Sequence, residues 1–214
     1  MDRFTLLLGG DLVRTPRLDA QIAGTRIIAA DSGMRHAAML DVMPELWVGD
    51  FDSVSAELLG RHAHVPRRTF SPEKDLTDGE IAIDVARQEG ARHLLMAGAF
   101  GGERADHAHL HIAAAIRLFE DGMDVVLTSG NQEGTPLPNG RTARFDYAPG
   151  TIFSVIGLTD LSGLTLSGVH WPLSDAHVPF GSSLTMSNRI SGRLEITLQS
   201  GRAMLVAHLT DTDN

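Results

Sequence analysis

Two aspartates one residue apart, Asp50 and Asp52, follow an apolar run in Leu46-Trp47-Val48-Gly49-Asp50-Phe51-Asp52-Ser53. If the strand continues through them, its period of two sends both carboxylates to one side and Phe51 to the other. Paired carboxylates repel unless a cation or basic group neutralises them, and hard oxygen ligands suit Mg²⁺. The same spacing also suits a turn after a strand, with the aspartates capping backbone donors. Lys74-Asp75-Leu76-Thr77-Asp78-Gly79-Glu80 is a second acidic stretch. Thr77 followed by Glu80 matches a capping box, which starts a helix with Asp78 in its first turn and Asp75 in the loop before it. The helix dipole accounts for acidic residues there; a metal ion would account for them too, with Lys74 near a phosphate.

Gly98-Ala99-Phe100-Gly101-Gly102-Glu103-Arg104-Ala105-Asp106-His107 reads as a strand end, a glycine turn and a helix start. Exposed amides, the positive helix end and the Arg104 guanidinium together suit a phosphate. It is neither a Walker A loop nor a Gly-x-Gly-x-x-Gly turn. In Ala30-Asp31-Ser32-Gly33, Asp31 suits either a helix cap or a ribose contact. His107 and His111 share a helix face, but no HExxH pattern accompanies them, and no Gly-x-Ser-x-Gly elbow is present. Later, Gly-Val-His-Trp-Pro-Leu at 168–173 and Phe-Gly-Ser-Ser-Leu-Thr-Met-Ser-Asn at 180–188 stand out. Trp171 is either a core residue or a flat wall for a planar heterocycle.

The elements that must carry these residues divide into two halves. Strand-like runs at 4–8, 26–30, 45–48, 65–68, 93–97 and 125–128 alternate with helical patterns at 32–40, 56–62, 78–88 and 106–120. Alternation of this kind implies an α/β domain, residues 1–128, with a mostly parallel sheet covered by helices. Residues 129–140, rich in Gly, Pro and polar side chains, read as a linker. Residues 141–214 lose the helical period and show short strand-like runs punctuated by glycine, a small all-β sandwich domain.

A net charge of −9 over 214 residues argues against nucleic acid as the main partner. The absence of cysteine excludes disulfides, thiolate metal sites and thiol nucleophiles. No run approaches the ~20 apolar residues of a membrane span, and the N-terminal apolar stretch is too short for a signal sequence. The expectation is a cytoplasmic protein without a membrane partner.

Together these segments resemble the thiamine diphosphokinase (thiamin pyrophosphokinase) family, in order and spacing: ADSG at 30–33, GDFDS at 49–53, PEKDLTD at 72–78, GGERAD at 101–106, then GVHWPL and FGSSLTMSN. The resemblance implies a diphosphoryl transfer from ATP to thiamine, giving thiamine diphosphate and AMP. It implies that Asp50, Asp52 and Asp78 hold Mg²⁺, with Arg104 completing the catalytic group. Asp31, Lys74, Asp75, Thr77, Arg104 and Asp106 would position ATP, and Trp171, Ser183, Thr185 and Asn188 would contact thiamine. A homodimer with shared active sites is implied as well. The same carboxylates would also serve a diphosphokinase acting on another alcohol, such as a hydroxymethylpterin, or a metal-dependent phosphohydrolase. Ser32 stands where the family has a second glycine, Glu103 adds a residue to Gly-Gly-Arg-x-Asp, and Gly79 replaces a bulkier residue.

Overall fold

The computed structural model describes residues 2–52, 54–70 and 76–209; Ser53, Lys74 and Asp75 lie outside the described residues. The chain forms two compact units, Met1–Gly130 and Asn131–Asn214.

The first unit runs β1 (Arg3–Leu7), α1 (Pro16–Ile22), β2 (Arg26–Ala30), a 3₁₀ turn (Asp31–Met34), α2 (Arg35–Leu40), β3 (Leu46–Gly49), α3 (Ala56–Arg61), β4 (Arg67–Thr69), α4 (Asp78–Gln88), β5 (His93–Ala97), α5 (Ala105–Glu120) and β6 (Asp124–Thr128). The strands lie in the order β6-β5-β1-β2-β3-β4, and each of these neighbouring pairs is parallel. Phe4, Leu6, Leu7, Ile28, Ala29, Trp47 and Val48 are buried along the central strands, as a sheet covered on both faces requires. Because the strands are parallel, the segments after β1, β2, β3 and β5 all leave the same end of the sheet. In open α/β sheets that end forms the ligand crevice.

Two expectations change here. The helix expected at 32–40 begins as the 3₁₀ turn and becomes α-helical only at Arg35. Helix α1 was not legible as a helix because its seven residues carry only two buried apolar side chains, Leu18 and Ile22. Local chemistry starts it: Thr15 accepts the Leu18 amide at 3.2 Å and Pro16 takes the first turn.

The second unit contains β7 (Gln132–Pro136), β8 (Arg141–Phe145), β9 (Ile152–Gly157), β10 (Leu161–Val169), β11 (Leu173–Val178), β12 (Asn188–Leu198) and β13 (Ala203–His208). One antiparallel set is β7-β13-β9, and the other is β11-β10-β12-β8. Strand β12 links them, since Asn188 and Arg189 pair with β9 before the strand continues against β10 and β8. Phe153, Val155 and Leu205 from the first set share a core with Leu164, Leu166, Leu194 and Ile196 from the second. Part of the stretch expected as a linker is therefore sheet: residues 132–136 pair with β13 despite their Gly and Pro. Pairing comes from the partner strand, which no local pattern reveals.

Candidate active site

Asp31 leaves the end of β2 buried, at 8% exposure, with a left-handed backbone (φ 42°). Such a conformation costs a non-glycine residue about 1–3 kcal/mol and needs external support. Trp47 supplies it: the indole N–H, wholly buried, donates to the Asp31 carbonyl at 2.8 Å. Asp31 is the first residue of the 3₁₀ turn, and the N-cap position before it is taken by Ala30. A Cβ on Gly33 would lie 2.1 Å from the Leu7 carbonyl oxygen, so only glycine lets this turn approach β1.

Strand β3 ends at Gly49, and the next three residues form a turn rather than a continued strand. Phe51 is left-handed (φ 65°) and its ring meets Trp47 edge-on at 5.1 Å. The Asp52 amide donates to Asp50 Oδ1 at 3.2 Å. Asp50 and Asp52 are thus brought together by a turn, correcting the period-two expectation. The hydrogen bond with Asp50, and then the repulsion from its charge, push the exposed Asp52 carboxyl above the usual carboxylate range. Asp31 and Asp78 add smaller contributions in the same direction.

Helix α4 starts at Asp78 as the capping box requires: Thr77 Oγ1 accepts the Glu80 amide at 3.3 Å, and Glu80 accepts the Thr77 amide at 3.0 Å. Asp31, Asp50 and Asp78 each present a carboxylate oxygen within 4.8 Å of the others. Opposite ligands on one Mg²⁺ stand about 4.2 Å apart, so oxygens within 4.8 Å need at most a small inward shift to share one ion, and an all-oxygen donor set suits a hard cation. The three residues come from three separate turns.

After β5, Gly101 and Gly102 are both left-handed (φ 65° and 82°) and lead into α5. At its start, Arg104 forms a two-pronged ion pair with Asp106, Nε to Oδ1 at 3.0 Å and Nη2 to Oδ2 at 2.7 Å. The Arg104 guanidinium beside Asp106 holds its carboxyl far below the usual range, and the Arg104 pKa is raised in turn. Both side chains are exposed, so the contact organises the helix start more than it stabilises the fold.

In the second unit, Trp171 follows β10 and is 58% exposed, which removes the core reading; the core tryptophan is Trp47. Its ring meets His170 edge-on at 4.5 Å. Asn188, buried, accepts the Trp171 amide at 3.2 Å and donates to its carbonyl at 2.7 Å. Thr185, also buried, donates its hydroxyl to the Val155 carbonyl at 2.6 Å. Asn188 therefore fastens the backbone of Trp171, and Thr185 ties its own segment to β9. Ser183 is exposed in that same stretch, and its carbonyl accepts the Met186 amide at 3.1 Å.

The catalytic domain of thiamin pyrophosphokinase, as a family model, matches residues 22–127, and the vitamin B1 binding domain of the same enzyme matches residues 143–205. The chain belongs to the thiamin pyrophosphokinase family. The thiamine pyrophosphokinase of Bacillus subtilis is 27% identical over 166 residues, spanning 76% of this chain and 77% of that protein. A crystal structure of thiamine pyrophosphokinase from Bacillus subtilis shares the fold, with TM-score 0.82 at 24% identity over 97% of this chain and 99% of that one. Thiamin pyrophosphokinase from Candida albicans does so at 14% identity, with TM-score 0.81 over 98% of this chain and 90% of that one.

Within this thiamin pyrophosphokinase fold, sequence reasoning missed the support beneath the motifs. Gly9, Gly10 and Asp11 follow β1 and brace the glycine turn: Asp11 Oδ2 accepts the Gly102 amide at 2.8 Å. The Arg35 guanidinium donates to the Gly9 and Gly10 carbonyls at 2.6 and 3.0 Å, and His36 Nε2 meets the Gly10 carbonyl at 3.0 Å. The Gly-Gly pair after the first strand was the available signal. Ser32 is accommodated because Gly9 opposes it; a Cβ there would lie 2.7 Å from the Ser32 hydroxyl.

Proposed function

We propose that the chain is a thiamine diphosphokinase, transferring a diphosphoryl group from ATP to the hydroxyethyl oxygen of thiamine and releasing AMP. The observation that carries this reading is the convergence of Asp31, Asp50 and Asp78 within 4.8 Å, inside the segment matching the family's catalytic domain. Asp31, Asp50 and Asp78 would hold Mg²⁺, with Asp52 bordering them. Bound there, the ion neutralises charge on the ATP phosphates, which this chemistry needs more than a covalent nucleophile. Asp31, assigned by resemblance to ATP, thereby joins the metal group.

The Gly101–Gly102 turn, Arg104, Asp106 and Thr77 position the phosphates; Lys74 and Asp75 are assigned to ATP by the resemblance alone. Trp171, held by Asn188, offers a flat face to the thiamine rings; exposed Ser183 is a further contact, and buried Thr185 supports the segment that carries it. The thiamine hydroxyl oxygen attacks the β-phosphorus in line. The bond from that phosphorus to the bridging oxygen breaks, the oxygen leaves with AMP, and the hydroxyl proton passes to a carboxylate of the cluster. Residues 1–128 act as the nucleotide domain and residues 141–214 as the thiamine domain, in a cytoplasmic homodimer with shared active sites. The test is incubation with Mg-ATP and thiamine: AMP and thiamine diphosphate are expected in equal amounts. ADP with thiamine monophosphate would refute one-step transfer, and AMP formed without thiamine would favour hydrolysis.

A further inference from the structure

His111 lies inside α5, one turn beyond His107, and is buried at 8% exposure. Its Nδ1 is 3.1 Å from the Ala99 carbonyl. A carbonyl has no proton to give, so Nδ1–H donates and, in the neutral ring, Nε2 carries the lone pair. That second edge of the ring lies against the first turn of α4. A Cβ placed on Gly79 would stand 3.2 Å from His111 Nε2 and 3.7 Å from Cδ2. Gly79 has an ordinary helical backbone, so nothing in its φ demands glycine. Gly79 is the second residue of α4, and a side chain there would crowd the imidazole by a few tenths of an ångström.

The two segments bridged by this ring are those that carry the site. Ala99 begins the turn that continues through Gly101 and Gly102 to Arg104, and Gly79 follows Asp78. We propose that His111 and Gly79 form a matched pair in which the His111 ring sets the spacing between the glycine turn and Asp78, making His111 a positioning residue for the carboxylate cluster. The inference rests on reading Asp31, Asp50 and Asp78 as the metal-holding group. Outer-shell groups that hydrogen-bond a metal ligand change metal affinity by about 10–100-fold when removed; His111 acts one step further out, through Gly79 beside Asp78, so the lower end of that range applies.

A matched pair predicts non-additivity. Gly79→Ala alone pushes the ring and should weaken Mn²⁺ binding, read by electron paramagnetic resonance with no turnover, by about tenfold. In His111→Asn the side-chain amide replaces the Nδ1–H donor but the Nε2 edge against Gly79 is gone, so Mn²⁺ binding should also weaken, by about tenfold. Gly79→Ala in the His111→Asn background should then cost little. His111→Leu, which fills space but lacks the donor, should weaken Mn²⁺ about tenfold even where its melting temperature is preserved. Equal losses from Gly79→Ala in both backgrounds would overturn the pairing. Loss of melting temperature in His111→Leu with unchanged Mn²⁺ affinity would overturn the positioning role. Because the readout is metal binding, failure of wild-type protein to make thiamine diphosphate would refute the proposed function separately.

Discussion

Replacing Asp50 by Asn should separate what the carboxylate cluster does for function from what it costs the fold. The side chain keeps its shape, and Asn Oδ1 can still accept the Asp52 amide that closes the turn. What disappears is one negative charge within 4.8 Å of two others. At that distance each like-charge pair repels by about 1 kcal/mol under water-like screening and about 3 kcal/mol at an effective dielectric near 20. Asp50 is half-buried, so the lower figure is closer, and removing its charge relieves the pairs with Asp31 and Asp78 as well as a water-screened repulsion with exposed Asp52. The metal-free variant should therefore be more stable by roughly 1–2 kcal/mol, a rise of about 2–8 °C in melting temperature for a chain of this size. Mg-ATP should act in the opposite sense. At a hundredfold excess over its dissociation constant a ligand stabilises by about 2.7 kcal/mol; if affinity falls a hundredfold, about 0.4 kcal/mol remains. Differential scanning calorimetry with and without Mg-ATP reads both quantities in one experiment. A metal-free variant that melts below wild type, or an undiminished Mg-ATP shift, would refute the cluster as a mutually repelling metal site.

Asn188→Ala should behave like a weakened Trp171→Ala, since both withdraw the ordered indole; each should raise the KM for thiamine several-fold while leaving ATP binding intact. Isothermal titration with ATP and steady-state kinetics with thiamine distinguish this from general damage, and loss of ATP binding alone would contradict it. Burial is the leading cause that lowers the pKa of His36, His62 and His111. The unfolded chain then binds more protons than the folded one below the ordinary histidine range. Their contribution is complete above that range and is lost as pH falls through the lowered folded values, so the melting temperature should drop from pH 7 towards pH 5. A melting temperature that rises over that interval would show that these imidazoles are not buried in the neutral form.

Much of the first unit was legible because its signals are local. The bounds 26–30, 78–88 and 93–97 read from apolar runs and from the Thr77–Glu80 box are those of β2, α4 and β5. Strands β7, β8 and β11 were not legible, since Gln132–Pro136, Arg141–Phe145 and Leu173–Val178 carry polar or turn-forming residues and acquire strand geometry from their neighbours.

The acidic motifs divide along the same line. Residue types and order alone located Asp31 at a strand-to-helix turn and Asp78 at a helix start, because hydrogen-bonding and capping preferences act over a few residues; for Asp50 and Asp52 they left a continued strand and a turn both open. Only the tertiary structure decided which carboxylates meet. Parallel pairing sends the ends of β2 and β3 to one edge, Trp47 fixes the Asp31 backbone, and the Phe51 turn replaces an extended run. Those contacts join residues far apart in the chain, and spacing along the chain carries no information about them.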